Sequence, residues 1–353
     1  MVAGERRVVR RRRFLPALLA LALLTTGCGS AGGKEAVKGG PSCPRGRYLS
    51  TPVSWLSAQQ LLVAVRRFRP MPSAGTGASS QVWVRLYRVS LPSLQTTLHW
   101  QRRDFSLSIW PQDQLTPDGR FLTAHPDAFV LWLVSLEDGR VVRRFSEGVS
   151  DFSFAPEGRR LVADGGADGS PLQILSLRGR TRTVTTRLDR NPSWSPDGRF
   201  IVFDRGRTMD LVKNMELPRD LYLLPAAGGS PRLLARGISG RAVWAPDSRR
   251  FALNGATISV YRLDGAGRLV GKPQLVKPAT AYPSPVGWSP SGRLLVLRPG
   301  TAAARTLARP RYRHALLGLF SPDGRYLTLQ LPQRQPLFLL DIRSGRTRQL
   351  PFC

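Results

Sequence analysis

Few side chains in this sequence have the types and spacing that metal or acid–base chemistry requires. The three histidines, His99, His125 and His314, are far apart, and none has a second metal-ligating residue at the short spacing typical of zinc sites. The segment from Asp164 to Gly169 is similar to a calcium-binding loop, but it lacks an acid at the third position and has Leu175 at the twelfth. The sequence therefore predicts no metal and no cofactor.

Acidic residues recur at one place in a repeated phrase, and a serine takes that place in one copy. An acid there can bond to the backbone of its own turn, so its recurrence has a structural explanation. The sequence contains no nucleophile elbow, phosphate loop or clustered cysteine set. We therefore predict that the protein is not an enzyme. The residues are Asp118, Glu157, Asp197, Asp247 and Asp323, with Ser291 in the remaining copy.

The repeated phrase, called here the turn phrase, consists of a bulky apolar residue, a small residue, Pro, usually an acid, Gly or Ser, Arg and an apolar run. Recurrence at intervals of roughly 30 to 50 residues is typical of β-propellers and solenoids. Its Pro and Gly suit the two corners of a tight turn between strands. The six copies are Leu115 to Leu122, Phe154 to Val162, Trp194 to Phe203, Trp244 to Leu253, Trp288 to Leu297 and Phe320 to Leu329.

Each copy is followed by a second pair of apolar runs around a turn that contains Gly, so each unit has about four strands, as a propeller blade does. A degraded seventh copy lies at Trp55 to Val63. The sequence therefore predicts an all-β fold, a single β-propeller of seven four-stranded blades. The interval from Pro290 to Pro322 is short and places the outer strands of its unit in the stretch from Thr301 to Arg313, so six blades are the alternative.

The N-terminus has the pattern of an export signal. A basic patch, an apolar run of about eleven residues and Thr25-Thr26-Gly27-Cys28 follow one another, and such a run is too short to span a bilayer. The junction resembles a bacterial lipobox, which predicts a signal peptide over 1–27, lipidation at Cys28, a flexible tether over 28–42 and a propeller over 43–353. An ordinary signal with an incidental cysteine is the alternative, and Arg11 to Leu15 also resembles a twin-arginine signal.

With Cys28 assigned to lipid, Cys43 and Cys353 remain and bracket the predicted ring. A circular fold brings its ends together, so we predict a disulfide between them in an oxidising compartment. Two unpaired thiols are the alternative.

The formal net charge is +30, and arginine supplies most of the positive charge. One arginine recurs in each turn phrase, so the charge is spread over the chain and favours a solvated basic surface over a nucleic-acid site. An anion-binding surface for lipid heads or cell-wall polymer is a further alternative.

The turn phrase, as in Trp194 to Arg199, and the downstream turn at Gly228-Gly229 resemble the TolB-type propeller repeat, which is related to WD repeats. The resemblance covers about residues 47–352. It implies binding of a protein or ligand at the mouth of a central channel, without chemistry. Since no α/β domain precedes the repeats, the sequence is similar to envelope lipoproteins that carry only the propeller.

These observations predict a non-catalytic, monomeric, lipid-anchored propeller that binds a protein or peptide partner at the cell envelope. We expect it on the outer face of the cytoplasmic membrane or on an outer membrane, without nucleic acid. The candidate docking segment is the insertion from Asp204 to Arg219, although this loop could also fold back on its own blade. The alternative function is an extracytoplasmic lyase or hydrolase that acts on cell-wall polymer in the channel. The docking candidates are Met209, Leu211, Met215 and Leu217.

Overall fold

The computed structural model describes the chain from residue 48 to residue 352, with internal gaps. The chain divides into two compact units, Met1–Gly39 and Gly40–Cys353, and every described residue lies in the second. Cys28, Cys43 and Cys353 lie outside the described residues. The gaps are 71–78, 104–114, 128–129, 146–148, 150, 165–170, 187–188, 207–218, 255–256, 280–285, 310–311, 313–314 and 332–336.

The described residues form seven antiparallel sheets in chain order, which we number as blades 1 to 7. Blade 1 contains β1 (Tyr48–Ser57), β2 (Gln60–Pro70), β3 (Ser79–Ser90) and β4 (Gln95–Arg102). Blade 2 contains β5 (Phe121–Asp127), β6 (Val130–Ser135) and β7 (Val141–Phe145). Blade 3 contains β8 (Phe152–Phe154), β9 (Arg160–Ala163), β10 (Gln173–Ser176) and β11 (Thr181–Thr183).

The second half of the ring follows the same order. Blade 4 contains β12 (Asp189–Trp194), β13 (Phe200–Gly206), β14 (Arg219–Pro225) and β15 (Arg232–Ala235). Blade 5 contains β16 (Ala242–Trp244), β17 (Arg250–Leu253), β18 (Ile258–Arg262) and β19 (Gln274–Val276). Blade 6 contains β20 (Val286–Trp288) and β21 (Leu294–Val296), and blade 7 contains β22 (Leu316–Phe320), β23 (Tyr326–Gln330), β24 (Leu337–Asp341) and β25 (Thr347–Gln349).

In every blade, neighbouring strands in the sheet are also neighbours in the chain. The first strands of consecutive blades contact each other from β8 through β12, β16 and β20 to β22, and β22 contacts β1. This arrangement places the first strands around a common axis and closes the ring. The predicted all-β propeller fold is confirmed.

The core of the protein lies between the blades. Each of seven hydrophobic clusters joins two neighbouring blades, and the cluster between blades 7 and 1 includes Leu61, Val63, Leu337 and Leu339. Burial of such side chains contributes about 1.5–3 kcal/mol each. The ring is therefore held by sheet faces packing on each other.

The turn phrase forms the hairpin between the first and second strands of a blade. In blade 4, Ser195 Oγ donates to Asp197 Oδ1 at 2.6 Å, and the backbone N–H of Arg199 donates to the same oxygen at 3.0 Å. Gly198 has φ +76°, a conformation that favours glycine. The pairs Thr116–Asp118 and Ser321–Asp323 repeat the hydroxyl–carboxylate bond. These acids therefore build turns, as the sequence predicted.

Blade 6 corrects one detail of the sequence prediction. Outer strands were expected between Thr301 and Arg313, but this segment contains the helix α1 (Ala302–Leu307). Thr301 caps the helix, since its side chain accepts from the backbone N–H of Ala304 at 3.2 Å. The buried face of α1 packs on blade 7 with Phe338 and Leu340. Among the described residues, no helix is long and apolar enough to span a bilayer.

Candidate functional site

The two ends of the ring contain different connections between strands. Because the strands alternate in direction, the turn phrases and the hairpins between third and fourth strands lie at one end, the turn face. The second strands end and the third strands begin at the opposite end, which we call the mouth face. The insertion between β13 and β14 leaves the ring at the mouth face.

A buried carboxylate fastens the base of the insertion. The β13–β14 pairing continues to Gly206 and Arg219, so the segment between the strands is 207–218. Asp204 is fully buried, and its Oδ1 accepts from Nε of Arg219 at 2.5 Å. Its Oδ2 accepts from the Asn191 side chain at 2.7 Å and from the backbone N–H of Gly240 at 3.1 Å. Asp204 thus links the insertion to the first strand and to the following blade.

A second buried carboxylate, Asp189, supports the same strands. Arg205 donates to both of its oxygens, at 2.7 and 2.9 Å, and the Arg205 guanidinium lies 4.7 Å from the ring centroid of Tyr222. The hydrogen bonds to Asp189 raise the pKa of Arg205 above its usual value, although burial acts in the opposite direction. This bidentate pair holds the Arg205 guanidinium over the Tyr222 ring.

An arginine near the axis links blade 5 to blade 3. Nη2 of Arg241 donates to the carbonyl oxygen of Phe152 at 2.6 Å. Burial lowers the pKa of Arg241, and the nearby carboxylates of Asp151 and Asp164 partly offset this effect. Asp164 also accepts from the backbone N–H of Asp151 at 2.9 Å.

The polar groups of the mouth face therefore hold backbone and arginine groups in place. In the same way, Asp220 accepts from the backbone N–H of Gly237 at 2.8 Å. A bracing network of this kind fixes the positions from which loops leave the ring. We define the brace as Asp189, Asn191, Asp204, Arg205 and Arg219.

The structure places the residues singled out in the sequence as follows. His99 is half-buried on β4 of blade 1 and His125 lies in β5 of blade 2, so they belong to different sheets, while His314 lies outside the described residues. Of the segment from Asp164 to Gly169, the structure describes Asp164 alone, and its side chain accepts a hydrogen bond from the backbone N–H of Asp151. Within the described ranges, no group of three or more His, Cys, Asp or Glu side chains could hold a metal ion.

The predicted docking residues Met209, Leu211, Met215 and Leu217 lie outside the described residues, so their role remains a prediction. The brace was not predicted as a unit. Its sequence signal is that Asp189 and Asp204 are acids outside the turn phrase, and that Asp204 and Arg219 bracket the insertion.

A cationic groove lies at the turn face between blades 3 and 4. It has a volume of about 570 Å³, and its lining includes Arg160, Arg178, Arg180 and Arg182. Two of these arginines have partners: Arg160 pairs with Glu157 at 2.6 Å, and Arg182 donates to the carbonyl oxygen of Ala226 at 3.0 Å. This groove is a place in the described structure where an anion could bind.

No model of a known protein family matches the sequence. Among curated proteins, the chain is similar to an uncharacterized protein of Agrobacterium fabrum, with 25% identity over 143 residues. The match covers 29% of this chain and 49% of that protein. The chain therefore spans about half the length of this relative.

Several solved structures are similar to the chain. TolB of Acinetobacter baumannii is 14% identical, with 86% of this chain and 79% of that chain covered and a TM-score of 0.45. An oligogalacturonate lyase in complex with manganese is 15% identical, with coverage of 84% and 91% and a TM-score of 0.51. A prolyl endopeptidase is 13% identical, with coverage of 86% and 49% and a TM-score of 0.52, so the chain spans about half of it. At these identities the similarities show the fold alone, and they agree with the β-propeller that the described residues form.

Proposed function

We propose that the protein is a non-catalytic, lipid-anchored, extracytoplasmic propeller that captures a protein or peptide partner at the cell envelope. The observation that carries this proposal is the brace. Two buried carboxylates fasten both strands that lead into the insertion, so the segment 207–218 leaves the ring from fixed positions. Binding segments are commonly held on loops that a rigid scaffold positions.

The composition of the insertion supports a protein partner. Apolar side chains alternate with charged ones in the segment 207–218, and such side chains on a loop suit a docking surface. The proposed lipid on Cys28 and the flexible tether over 28–42 would keep the propeller near the membrane, where envelope proteins are available as partners.

The test compares the lipidated protein with two variants in capture from membranes. In the first variant, Asn-Gly replaces 207–218, because Gly206 and Arg219 are a register pair that a two-residue turn can join. In the second, Met209, Leu211, Met215 and Leu217 become Ser at constant length. We expect both variants to lose a partner identified by mass spectrometry, and the melting temperature to stay within about 2 °C, since neither change touches the described core.

The purified partner should then bind the wild-type propeller in solution and neither variant. Equal capture by all three proteins would overturn the proposal. So would a large fall in melting temperature, which would indicate a loop folded on its own blade. Cleavage of cell-wall polymer by the purified propeller would instead favour the lyase or hydrolase alternative.

A further inference from the structure

Blade 6 is incomplete in the described structure. It contains only β20 and β21, whereas five of the other blades have four strands and blade 2 has three. The chain after β21 forms α1, which packs on blade 7 through Ala303 and Leu307. Among the described residues, β21 pairs with β20 alone.

The register of the β20–β21 pair determines which backbone groups of β21 face outward. Ser289 N–H donates to the carbonyl oxygen of Arg293 at 2.9 Å, so this pair is hydrogen-bonded. Hydrogen-bonded pairs alternate along an antiparallel ladder, which makes Gly287–Leu295 the next such pair. The N–H and C=O groups of Leu294 and Val296 therefore point away from β20, as those of an edge strand do.

The side chains around this edge are apolar and only partly covered. The cluster between blades 5 and 6 has three buried residues, whereas each of the six others has at least eight. Its remaining members are half-buried: Val260, Val286, Trp288, Leu294 and Val296. We call this open apolar surface and the edge of β21 the blade-6 notch. A strand that paired with β21 would cover part of it.

The stretch of chain that contains blade 6 carries charge of one sign. Between Asp264 and Asp323 the sequence contains no acidic residue. The basic residues of this stretch that the structure describes are all exposed, and they include Arg298 just after β21 and Arg293 just before it. An acidic occupant would meet complementary charge at both ends of the edge. The full set in the stretch is Arg268, Lys272, Lys277, Arg293, Arg298, Arg305, Arg309, Arg311 and Arg313.

We propose that the blade-6 notch binds an extended acidic polypeptide segment, which pairs with β21 as the third strand of blade 6. Main-chain hydrogen bonds to Leu294 and Val296 would give affinity, and alternate apolar side chains of the segment would fill the notch. The blade-6 notch is built from blades 5 and 6 and the insertion follows β13 in blade 4, so the proposal does not depend on capture by the insertion.

The test uses fluorescein-labelled peptides of alternating Val and Glu with the full exported chain, measured by anisotropy. The first comparison is the same peptide with alternate backbone nitrogens methylated, which keeps the charge but removes strand pairing. The second is polyglutamate of equal charge. We expect the unmethylated peptide to bind at least about tenfold more tightly than either comparison, a difference of about 1.4 kcal/mol. Hydrogen exchange should slow at the amides of Leu294 and Val296 when it binds.

Two variants of equal charge locate the site. Val296→Glu places a carboxylate in the notch and should weaken binding of the peptide about tenfold or more. Leu275→Glu changes an apolar side chain that is 66% exposed on β19 and should leave the affinity within about twofold. Equal binding of all three probes, or equal loss in both variants, would overturn the proposal and indicate a cationic surface for acidic polymers. Unchanged exchange at Leu294 and Val296 would also overturn it, even if Val296→Glu folded poorly.

Discussion

Individual arginines of the turn phrase connect neighbouring blades, a role that their exposure alone does not reveal. Nη2 of Arg199 donates to the carbonyl oxygen of Gly265 at 2.6 Å, and Nη2 of Arg293 donates to that of Asp323 at 2.9 Å. Arg160 and Arg250, which follow the recurring arginine, lie over the rings of Trp194 and Trp288 in the next blade. A planar guanidinium can stack and donate at once, which lysine cannot do as well. Part of the high arginine content is therefore explained by contacts that join neighbouring blades.

The buried carboxylate of Asp204 accepts hydrogen bonds from Arg219, Asn191 and Gly240, so its charge should contribute to stability. We expect Asp204→Asn to lower the free energy of unfolding by roughly 3 kcal/mol, because the change removes the fully buried negative charge that Nε of Arg219 contacts. Denaturant unfolding measures this loss. Asp138→Asn is the matched control, since Asp138 pairs with Arg140 at the surface, and it should leave stability near that of the wild type. Equal effects of the two substitutions would contradict the assignment of the brace.

The sequence predicted the structural role of the acids in the turn phrase but not that of Asp204. The acids of the turn phrase were predicted correctly because their partners lie within five residues of them. Asp204 bonds to Asn191, Arg219 and Gly240, and these partners come together only when blades 4 and 5 are formed. Contacts of that range follow from the register of the strands, which single-sequence patterns do not contain.

At the scale of elements, the outer strands carry a recurring contact to the next blade. In blades 3, 4 and 7 an outer-strand arginine donates to a carbonyl oxygen in the neighbouring hairpin between third and fourth strands. Arg182 reaches Ala226 at 3.0 Å, Arg348 reaches Pro92 at 2.6 Å, and Arg232 reaches Gly267. Blade 6 has no outer strand among the described residues, so this contact has no counterpart there. The recurrence indicates that outer strands fasten the rim.

A comparison of Arg182, on β11, with Arg180, just before this strand, tests this contact. We expect Arg182→Met to lower the free energy of unfolding by about 1 kcal/mol, because a charged donor to a backbone carbonyl is lost while the apolar stem is kept. Arg180→Met removes the same charge from an exposed neighbour in the groove and should have little effect. The measurement is chemical unfolding of both variants at two salt concentrations. If the two losses were equal and fell together with added salt, general charge would explain them and the contact would not.

The hairpins were predictable because the turn phrase contains its own signals, and the exception is instructive. In blade 6 the outer strands were predicted where α1 lies. The signals of the helix were present, since Thr301 is a suitable N-cap and Ala302 to Ala304 have high helix propensity. The regular repeat predicted strands at this position instead. In the structure, Ala303 and Leu307 of the helix pack on blade 7.

At the scale of the whole molecule, the ring closes through side chains between its first and last blades. The inner strand β1 contacts β22 and β24, and Nε1 of Trp55 donates to the carbonyl oxygen of Leu319 at 3.3 Å. Phe352, near the end of the chain, packs against Tyr87 with ring centroids 4.9 Å apart. No strand of one end joins the sheet of the other among the described residues. A covalent link between the two ends would therefore strengthen the junction of blades 1 and 7, which side-chain packing holds.

The predicted disulfide between Cys43 and Cys353 would provide that link. In the exported protein, we expect Cys43→Ser to lower the free energy of unfolding by about 4–5 kcal/mol, since the bond restricts the unfolded chain over a very long loop. Denaturant unfolding with and without reductant measures the effect, and reductant should destabilise the wild type but not the double variant Cys43→Ser, Cys353→Ser. Mass analysis of unreduced peptides reports the link itself. Two free thiols in the exported chain would show that packing alone closes the ring.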